Sequence, residues 1–323
     1  MTEAPSPIPA RPLPVSVRSP GKCIVFGEHA VVRGAPELAF AIDLYTQVFV
    51  RPGEKVQLNS DPDAARQNDY FRSALRQSWE GGPPVDVRSV SRIPRAAGLG
   101  SSAAFAASLA AAFSAAKGGI PRGDLAQVSF DIEREAQGVG SPGDTSTVVA
   151  GGYAAINGGP GEPLWTVHGP EHQWDVRRVP DPGWVWVVAY TGIPRSTSEA
   201  VRAVGLRLDR SDGPALLAEF TRVATDGIHA VERGDRASVA SLMQRNQELL
   251  REAGVSHPRI EALIEAARPA AEASKLTGAG KGGSVVVLPV PGKETEVVRR
   301  LARAGGLAFV VRPASQGAEV VET

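Results

Sequence analysis

The sequence predicts an α+β protein of two domains, and three observations carry that reading. Its 323 residues are enough for two hydrophobic cores. Strand-like segments crowd the first ninety residues, while the second half is rich in segments with helical spacing of apolar residues. Glycine-rich stretches fall in both halves, at 98–102 and 275–283. A glycine- and proline-rich passage at 157–163 lies between them and reads as a domain junction or a hairpin. The chain divides accordingly into a proline-rich tail (1–14), an N-terminal domain (15–165) and a C-terminal domain (166–323).

Composition narrows the class. Lys plus Arg and Asp plus Glu number 35 each, so the formal charge is zero, and nothing points to bulk affinity for nucleic acid or an anionic membrane. Hydrophobic residues make up 42% and charged residues 22%, as in a soluble globular protein. The single cysteine, Cys23, excludes an internal disulfide and fits a reducing, cytoplasmic setting. No apolar run approaches the roughly 20 residues that span a bilayer. The opening MTEAPSPIPARPLP has no apolar core and reads as a disordered or extended tail, not a signal peptide.

Taken in order, residues 15–18 alternate as a strand, 19–22 (SPGK) read as a turn, and 23–26 form a second, more apolar strand. Gly27-Glu28-His29-Ala30 then interrupts the run. Lys22, Glu28 and His29 thus bracket a buried strand, as solvated loop charges or as parts of a site. Strands are expected at 38–50 and 56–58. Phe71, Leu75 and Trp79 give 69–80 helical spacing, stopped by the Gly-Gly-Pro-Pro at 81–84. Residues 85–88 alternate as a strand.

Residues 93–116 are the stretch around which the chain is organised. Gly98 and Gly100 lead into a helix over 103–117 with Phe105, Leu109 and Phe113 on one apolar face. Ser101 and Ser102 stand where side-chain oxygens cap free N–H groups. A helix N-terminus flanked by glycines and hydroxyls is an anion site, and the plainer reading is a tight turn with an N-cap. The GxxxxGK[ST] spacing of a P-loop is absent.

Residues 121–137 read as a helix burying Leu125, Val128 and Ile132. Glu133 lies near its C-terminal end, where a carboxylate opposes the macrodipole and has no local stabilising role. A turn-rich loop (138–144) ends on Asp144, which opens a Thr/Ser/Val segment and is its N-cap or something more. Strands at 153–156 and 184–190 come next. Ser196-x-x-Glu199 has the form of a capping box for the following helix. Helices are expected at 214–233, 235–253 and 258–267, then a strand at 284–288, a helix at 294–304 and a last strand at 307–311.

Two glycine loops with free carboxylates and a lysine contain the parts that phosphoryl transfer requires. A hydroxyl plus a carboxylate, with phosphate and water, is a usual Mg²⁺ shell, and Ser102 and Glu133 supply one of each. Asp144 is then free to orient or deprotonate an attacking hydroxyl, and Lys22 to lower that hydroxyl's pKa or stabilise the transferred charge.

PGKCIVFGEHAVV (20–32), IPRAAGLGSSAA (93–104) and KLTGAGKGGS (275–284) resemble, in order, the three motifs of the GHMP kinase superfamily. TGIPRSTSEAV (191–201), GVSHPRIEALI (254–264), the spacing of Glu133 and Asp144 and the SPGDTST form (141–147) are most similar to its mevalonate kinase branch in archaeal and bacterial form. The resemblance runs from about residue 15 to the C-terminus. It implies a two-domain fold, with a ribosomal protein S5-like N-terminal domain containing a left-handed βαβ unit, a ferredoxin-like C-terminal domain, and the site between them. It also implies ATP and mevalonate as substrates, transfer to the 5-hydroxyl in isoprenoid precursor synthesis, and Mg²⁺ as cofactor. Neither nucleic acid nor a membrane is an expected partner, and a homodimer is compatible with it.

Carried over by position, Asp144 matches the catalytic aspartate and Lys22 the lysine near the reacting hydroxyl. Ser102 and Glu133 match the metal ligands, and Glu28, His29 and Thr277 the mevalonate side. Gly98, Leu99, Gly100, Ser101 and Ser102, with Gly278 and Gly280, match the nucleotide loops. The alternatives are a kinase of phosphomevalonate or of another mevalonate hydroxyl, and a catalytically silent regulator that binds ATP and a metabolite. Two positions depart from the pattern. Lys281 stands where glycine is usual, as a phosphate contact or, more simply, a solvated charge. Ser284 stands where cysteine is common. His168, His172, His229 and His257 show no metal-binding pattern.

Overall fold

The computed structural model describes residues 5–138, 140–194 and 197–322. Its first sheet has eight strands. β1 (Val15–Phe26) pairs antiparallel with β2 (Glu37–Pro52), and β2 continues to β5 (Tyr153–Ile156), β7 (Gln173–Val179) and β6 (Glu162–His168). β4 (Val85–Ser91) also pairs with β2, and the short β3 (Gln57–Leu58) with β4. The last strand, β12 (Glu319–Val321), returns from the far end of the chain to lie beside β1.

Five helices accompany this sheet: α1 (Pro62–Gln67), α2 (Asp69–Ser78), α3 (Ser101–Ala116), α4 (Arg122–Gln137) and α5 (Gly143–Ala150). α3 is the central one. Residues 103–115 contribute buried alanines, with Leu109 and Phe113, on several sides, so α3 lacks the polar stripe of a surface helix. It packs against β1, β2, α2, α4 and α5. Phe113 stacks on Trp79 with ring centroids 5.2 Å apart, tying α3 to the end of α2. Asp61 and Asn68 cap α1 and α2 by accepting from Asp63 N and Phe71 N. α1 is absent from the sequence reading, although Asp61-Pro62 is a proper helix start.

The second sheet is four-stranded and antiparallel, in the order β11 (Leu307–Val311), β8 (Trp186–Tyr190), β10 (Ser284–Pro289), β9 (Ala271–Thr277). Between β8 and β9 come α6 (Thr197–Leu208), α7 (Gly213–Glu232), α8 (Arg236–Glu252) and α9 (Pro258–Ala267), and α10 (Glu294–Arg303) joins β10 to β11. With the helices of the first crossover counted as one layer, this is the βαββαβ succession expected of a ferredoxin-like unit. The Ser196–Glu199 capping box lies outside the described residues.

Three sequence expectations change. The turn expected at 19–22 is absent. β1 runs through it unbroken, and Pro20-Gly21 seats a register shift against β2. A proline cannot donate to the ladder, but a strand absorbs it at such an irregularity. The expected division at residue 165 falls inside β6, because β6 and β7 belong to the first sheet. The described part of the tail is extended, but it is docked, not free. Ile8 exchanges both backbone hydrogen bonds with Ile120, at 2.9 and 3.0 Å, and Arg11 N donates to Ala115 O at 2.9 Å. The Arg122 guanidinium reaches the carbonyls of Ser6 and Ala318, joining the two ends of the chain through α4. Among the described residues, no helix is long and apolar enough to cross a membrane.

Ile8 is 2% exposed. Ile8→Ala should therefore lower unfolding free energy by about 2–5 kcal/mol in urea titrations. A tail that merely lay on the surface would leave the midpoint unchanged.

Candidate active site

Because β1 continues through Pro20-Gly21, Lys22 is a sheet residue and not part of a loop. Its N–H donates to Leu99 O at 3.0 Å, which fastens β1 to the glycine turn before α3. A Cβ on Gly100 would lie 2.8 Å from Lys22 Cγ, so only glycine leaves the lysine stem its path. The side chain is 1% exposed, and Nζ meets Asp144 Oδ1 at 2.7 Å. Asp144 is the second residue of α5. Pro142 holds the N-cap position and no side chain caps the helix. The capping alternative for Asp144 therefore falls away.

Ser101 and Ser102 do not cap α3 either, contrary to the sequence expectation. Gly100, at φ +78°, is the N-cap residue, and no side chain supplies a cap bond. The first turn of α3 carries no acidic residue, and Ser101 and Ser102 line the cleft. The amides of that turn are thus left for an anion.

The Ser102 hydroxyl instead donates to Glu133 Oε1 at 2.8 Å, and Gln137 Nε2 donates to the same oxygen at 3.0 Å. Gln137 also contacts the Tyr70 hydroxyl. Burial, then the nearby Asp144 carboxylate, push the Glu133 carboxyl up to about 7, against the pull of Ser102, Lys22 and Gln137. A buried carboxyl whose hydrogen-bonding neighbours are all neutral fits a divalent cation as counter-charge. Among the described residues, no three His, Cys, Asp or Glu side chains converge on a point that could hold a metal. An ion here therefore takes two protein oxygens, from Ser102 and Glu133, and the rest from phosphate and water, the pattern of a hard cation on a nucleotide.

Just past the end of β1, Glu28 forms a buried ion pair with Lys275 of β9, whose Nζ also donates to Leu276 O at 2.7 Å. Burial raises the Glu28 carboxyl while Lys275 pulls it down. Its Oε2 is buried without a protein partner. His29, at φ +66°, directs Nε2 to Ala279 O at 3.0 Å, so the first and third motifs meet side by side. Backbone strain of this kind persists where surrounding structure enforces it.

Lys22, Glu28, His29, Gly98, Gly100, Ser101, Ser102, Glu133, Asp144 and Gly278 all line one cleft of about 860 Å³. Three expected site residues do not. Thr277 is fully buried, and its hydroxyl accepts from Ile24 N at 2.9 Å and donates to Ile24 O at 3.0 Å. The Cys23 thiol donates to the same oxygen at 3.4 Å, so the hydroxyl is fully engaged within the protein and Thr277 joins the two sheets. The Leu99 side chain is buried, and only its carbonyl serves the site. A Cβ on Gly280 would meet Val255 O at 2.3 Å, so that glycine serves a loop contact. Ser284 reaches across to the phosphate-side turn, donating to Ala97 O at 2.8 Å. Lys281 is exposed, and its N–H donates to Val255 O at 2.7 Å. Burial pushes the Cys23 thiol up to about 11, and it packs against Thr277.

The sequence reading missed Glu37, Tyr70 and Gln137, which also line the cleft. Glu37 carries a visible signal, a lone carboxyl at the head of an apolar strand. Tyr70 and Gln137 carry none, since each looks like an ordinary helix residue.

Two family models match the chain: the GHMP kinases N terminal domain over residues 69–152 and the GHMP kinases C terminal domain over 228–307. The mevalonate kinase of Pyrococcus horikoshii is 30% identical, over 95% of this chain and 98% of its own length. That of Aeropyrum pernix is 32% identical, over 94% and 97%. Among solved structures, the L. major mevalonate kinase in complex with R-mevalonate superposes with a TM-score of 0.77 at 21% identity, covering 95% of this chain and all of that one. At that identity the superposition speaks for the fold alone.

The geometry makes two outcomes testable. Lys281 holds a left-handed φ of +55° that glycine adopts freely. Lys281→Gly should raise unfolding free energy by about 0.5–1 kcal/mol and leave the nucleotide KM unchanged. A tenfold rise in that KM would mean the lysine touches phosphate. For Glu133, the folded chain holds a proton between about pH 4.5 and 7 that the unfolded chain releases. Its contribution to stability therefore falls as pH rises through that window. A metal needs the ionised form, so apparent divalent-metal affinity should weaken about tenfold per unit below about pH 7. Calorimetric titration with nucleotide present checks this, and Glu133→Gln should flatten the dependence.

Proposed function

We propose what this cleft does on one premise: the chain belongs to the GHMP kinase family, and within it to the mevalonate kinases. It transfers the terminal phosphoryl group of ATP to the 5-hydroxyl of mevalonate, giving 5-phosphomevalonate and ADP. The observation that carries the reading is the Lys22–Asp144 pair set in one cleft with the open N-terminus of α3, in a chain about a third identical to mevalonate kinases along nearly its full length.

The nucleotide phosphates lie on the amides of Gly100–Ser102, where the helix N-terminus and the flanking glycines favour negative charge. Ser102 and Glu133 hold the divalent ion, Mg²⁺ in this reading, which when bound neutralises phosphate charge. The hydroxyl of the acceptor takes up the space beside Asp144 Oδ1 and Lys22 Nζ. The carboxylate accepts the hydroxyl proton as the oxygen attacks. The adjacent ammonium makes that proton easier to lose and offsets charge on the phosphoryl group in flight. Because Lys22 is nearly dry, its charge acts at short range with little screening by water. Glu28, whose unpartnered oxygen can accept from a hydroxyl, and His29 line the mevalonate side of the cleft.

The test is ADP release with mevalonate, phosphomevalonate, galactose and homoserine in parallel, with phosphorus NMR of the product. Mevalonate alone should be turned over, to a primary phosphomonoester. Asp144→Asn keeps the hydrogen-bonding shape but accepts no proton. Its kcat should fall about 10²–10⁴-fold, while leaving Lys22 without its counter-ion should cost about 1–3 kcal/mol of stability. Near-normal single-turnover rates in a folded Asp144→Asn protein would remove this aspartate from the mechanism.

A further inference from the structure

Glu37, the first residue of β2, has no part in the reaction as derived above. It lines the cleft yet is only 2% exposed. Its Oε1 is buried with no hydrogen-bond partner. That oxygen rests against Gly143, where a Cβ would come within 1.8 Å of it. A side chain at 143 would displace the carboxyl from this position. Gly143 therefore makes room for Glu37 one position before Asp144, and the two residues fit as a pair.

β5, which pairs with Glu37 through Ile156, brings no charge to it, and the charges that act on it come from four residues. Lys22 faces it from β1, Glu28 from the turn after β1, Asp144 from α5 and Lys275 from β9. Lys22 is paired with Asp144, and Lys275 with Glu28. Two cations are thus matched by two carboxylates before Glu37 is counted. A third ionised carboxylate, buried without a counter-ion and without a donor on Oε1, is the species that burial penalises most.

We propose that Glu37 is held as the neutral acid at physiological pH, and that its lack of charge keeps the acceptor side of the cleft open to an anionic substrate. It is a positioning residue that acts through the Lys22–Asp144 pair. When it ionises, a second negative charge stands beside Asp144, repels the carboxylate of the acceptor, and competes for Lys22. The substrate half of this rests on the acceptor being the hydroxy acid assigned above; the proton half does not. Burial and the nearby Asp144 push the Glu37 carboxyl from 4.5 up to about 8, which agrees with the charge count.

That raised value fixes the sign of the pH effect. Between about pH 4.5 and 8 the folded chain keeps a proton on Glu37 that the unfolded chain releases. The wild type therefore loses stability, relative to a variant without the carboxyl, as pH rises through that window. Thermal unfolding of wild type, Glu37→Gln and Glu37→Ala at pH 5.5 and 8.5, without substrate, reads this directly. The Tm advantage of the variants should widen by several degrees at the higher pH. Two variants are used so that a poor fit of the glutamine amide against Gly143 does not decide the result. A gap that is equal at both pH values overturns the neutral-acid assignment.

The second measurement is the mevalonate KM from pH 7 to 9.5. It should rise about tenfold in the wild type, equivalent to about 1.4 kcal/mol, with kcat moving less. In Glu37→Gln it should stay within about twofold. A rise that persists in Glu37→Gln overturns the positioning role. A wild type that does not phosphorylate mevalonate at pH 7 overturns the reaction assignment instead, and the melting curves still decide where the proton is.

Discussion

A lysine taken out of water must find an opposite charge or give up its proton, and in this chain Lys22 finds Asp144. Much of the cleft is arranged around that pair. β1 has to remain a strand through Pro20-Gly21 to aim the side chain. Gly100 has to lack a Cβ to let it through. α5 has to begin at Gly143, so that Asp144 projects toward Lys22 and does not fold back on its own amides. The segment before β12 helps hold α5 there, with Ala318 N donating to Val148 O at 3.0 Å. A paired buried lysine adds little to stability by itself. It supplies a fixed positive charge where phosphoryl transfer needs one.

The second buried pair, Glu28 with Lys275, plays a different part. It links the turn after β1 to β9, and Thr277 adds its hydroxyl to both backbone groups of Ile24 nearby. The KLTGAGKGG stretch therefore acts largely as a fastening between the two sheets. Only Gly278 and Ala279 of its loop reach the cleft wall.

How much of this is legible in the sequence depends on whether the cause is local. The glycine turn, the long helix after it and the helices of the second half are set by nearby residues, and they appear where periodicity and stop signals put them. Lys22, Ser102, Glu133 and Asp144 all stand out in the sequence, and all four lie on one cleft. The errors share a pattern. Pro-Gly looks like a turn to any local rule, but pairing with the sixteen-residue β2 on both sides of it keeps β1 a strand. Serines at a helix start look like caps, but a buried carboxylate from α4 takes the Ser102 hydroxyl. Thr277 sits in a motif tied to substrate, but its hydroxyl is used by a strand 253 residues away in sequence. The docking of Ile8 on Ile120, and the pairing of β12 with β1, have no local signature at all.

The return of β12 to the first sheet has a consequence for how the molecule is made. The second sheet and its helices form an insertion between β7 and β12, so the first sheet is discontinuous in the chain. On the ribosome, β1 stays an uncovered edge until β12 emerges, about 140 residues after β7 is complete. The inserted unit is also strapped to the first by two connections, residues 180–185 and 312–318. The second of these is itself bound to the first sheet, Asp43 N donating to Arg312 O at 3.2 Å and Ala314 N to Ala41 O at 2.9 Å, so the exit of the inserted unit is anchored before β12 begins.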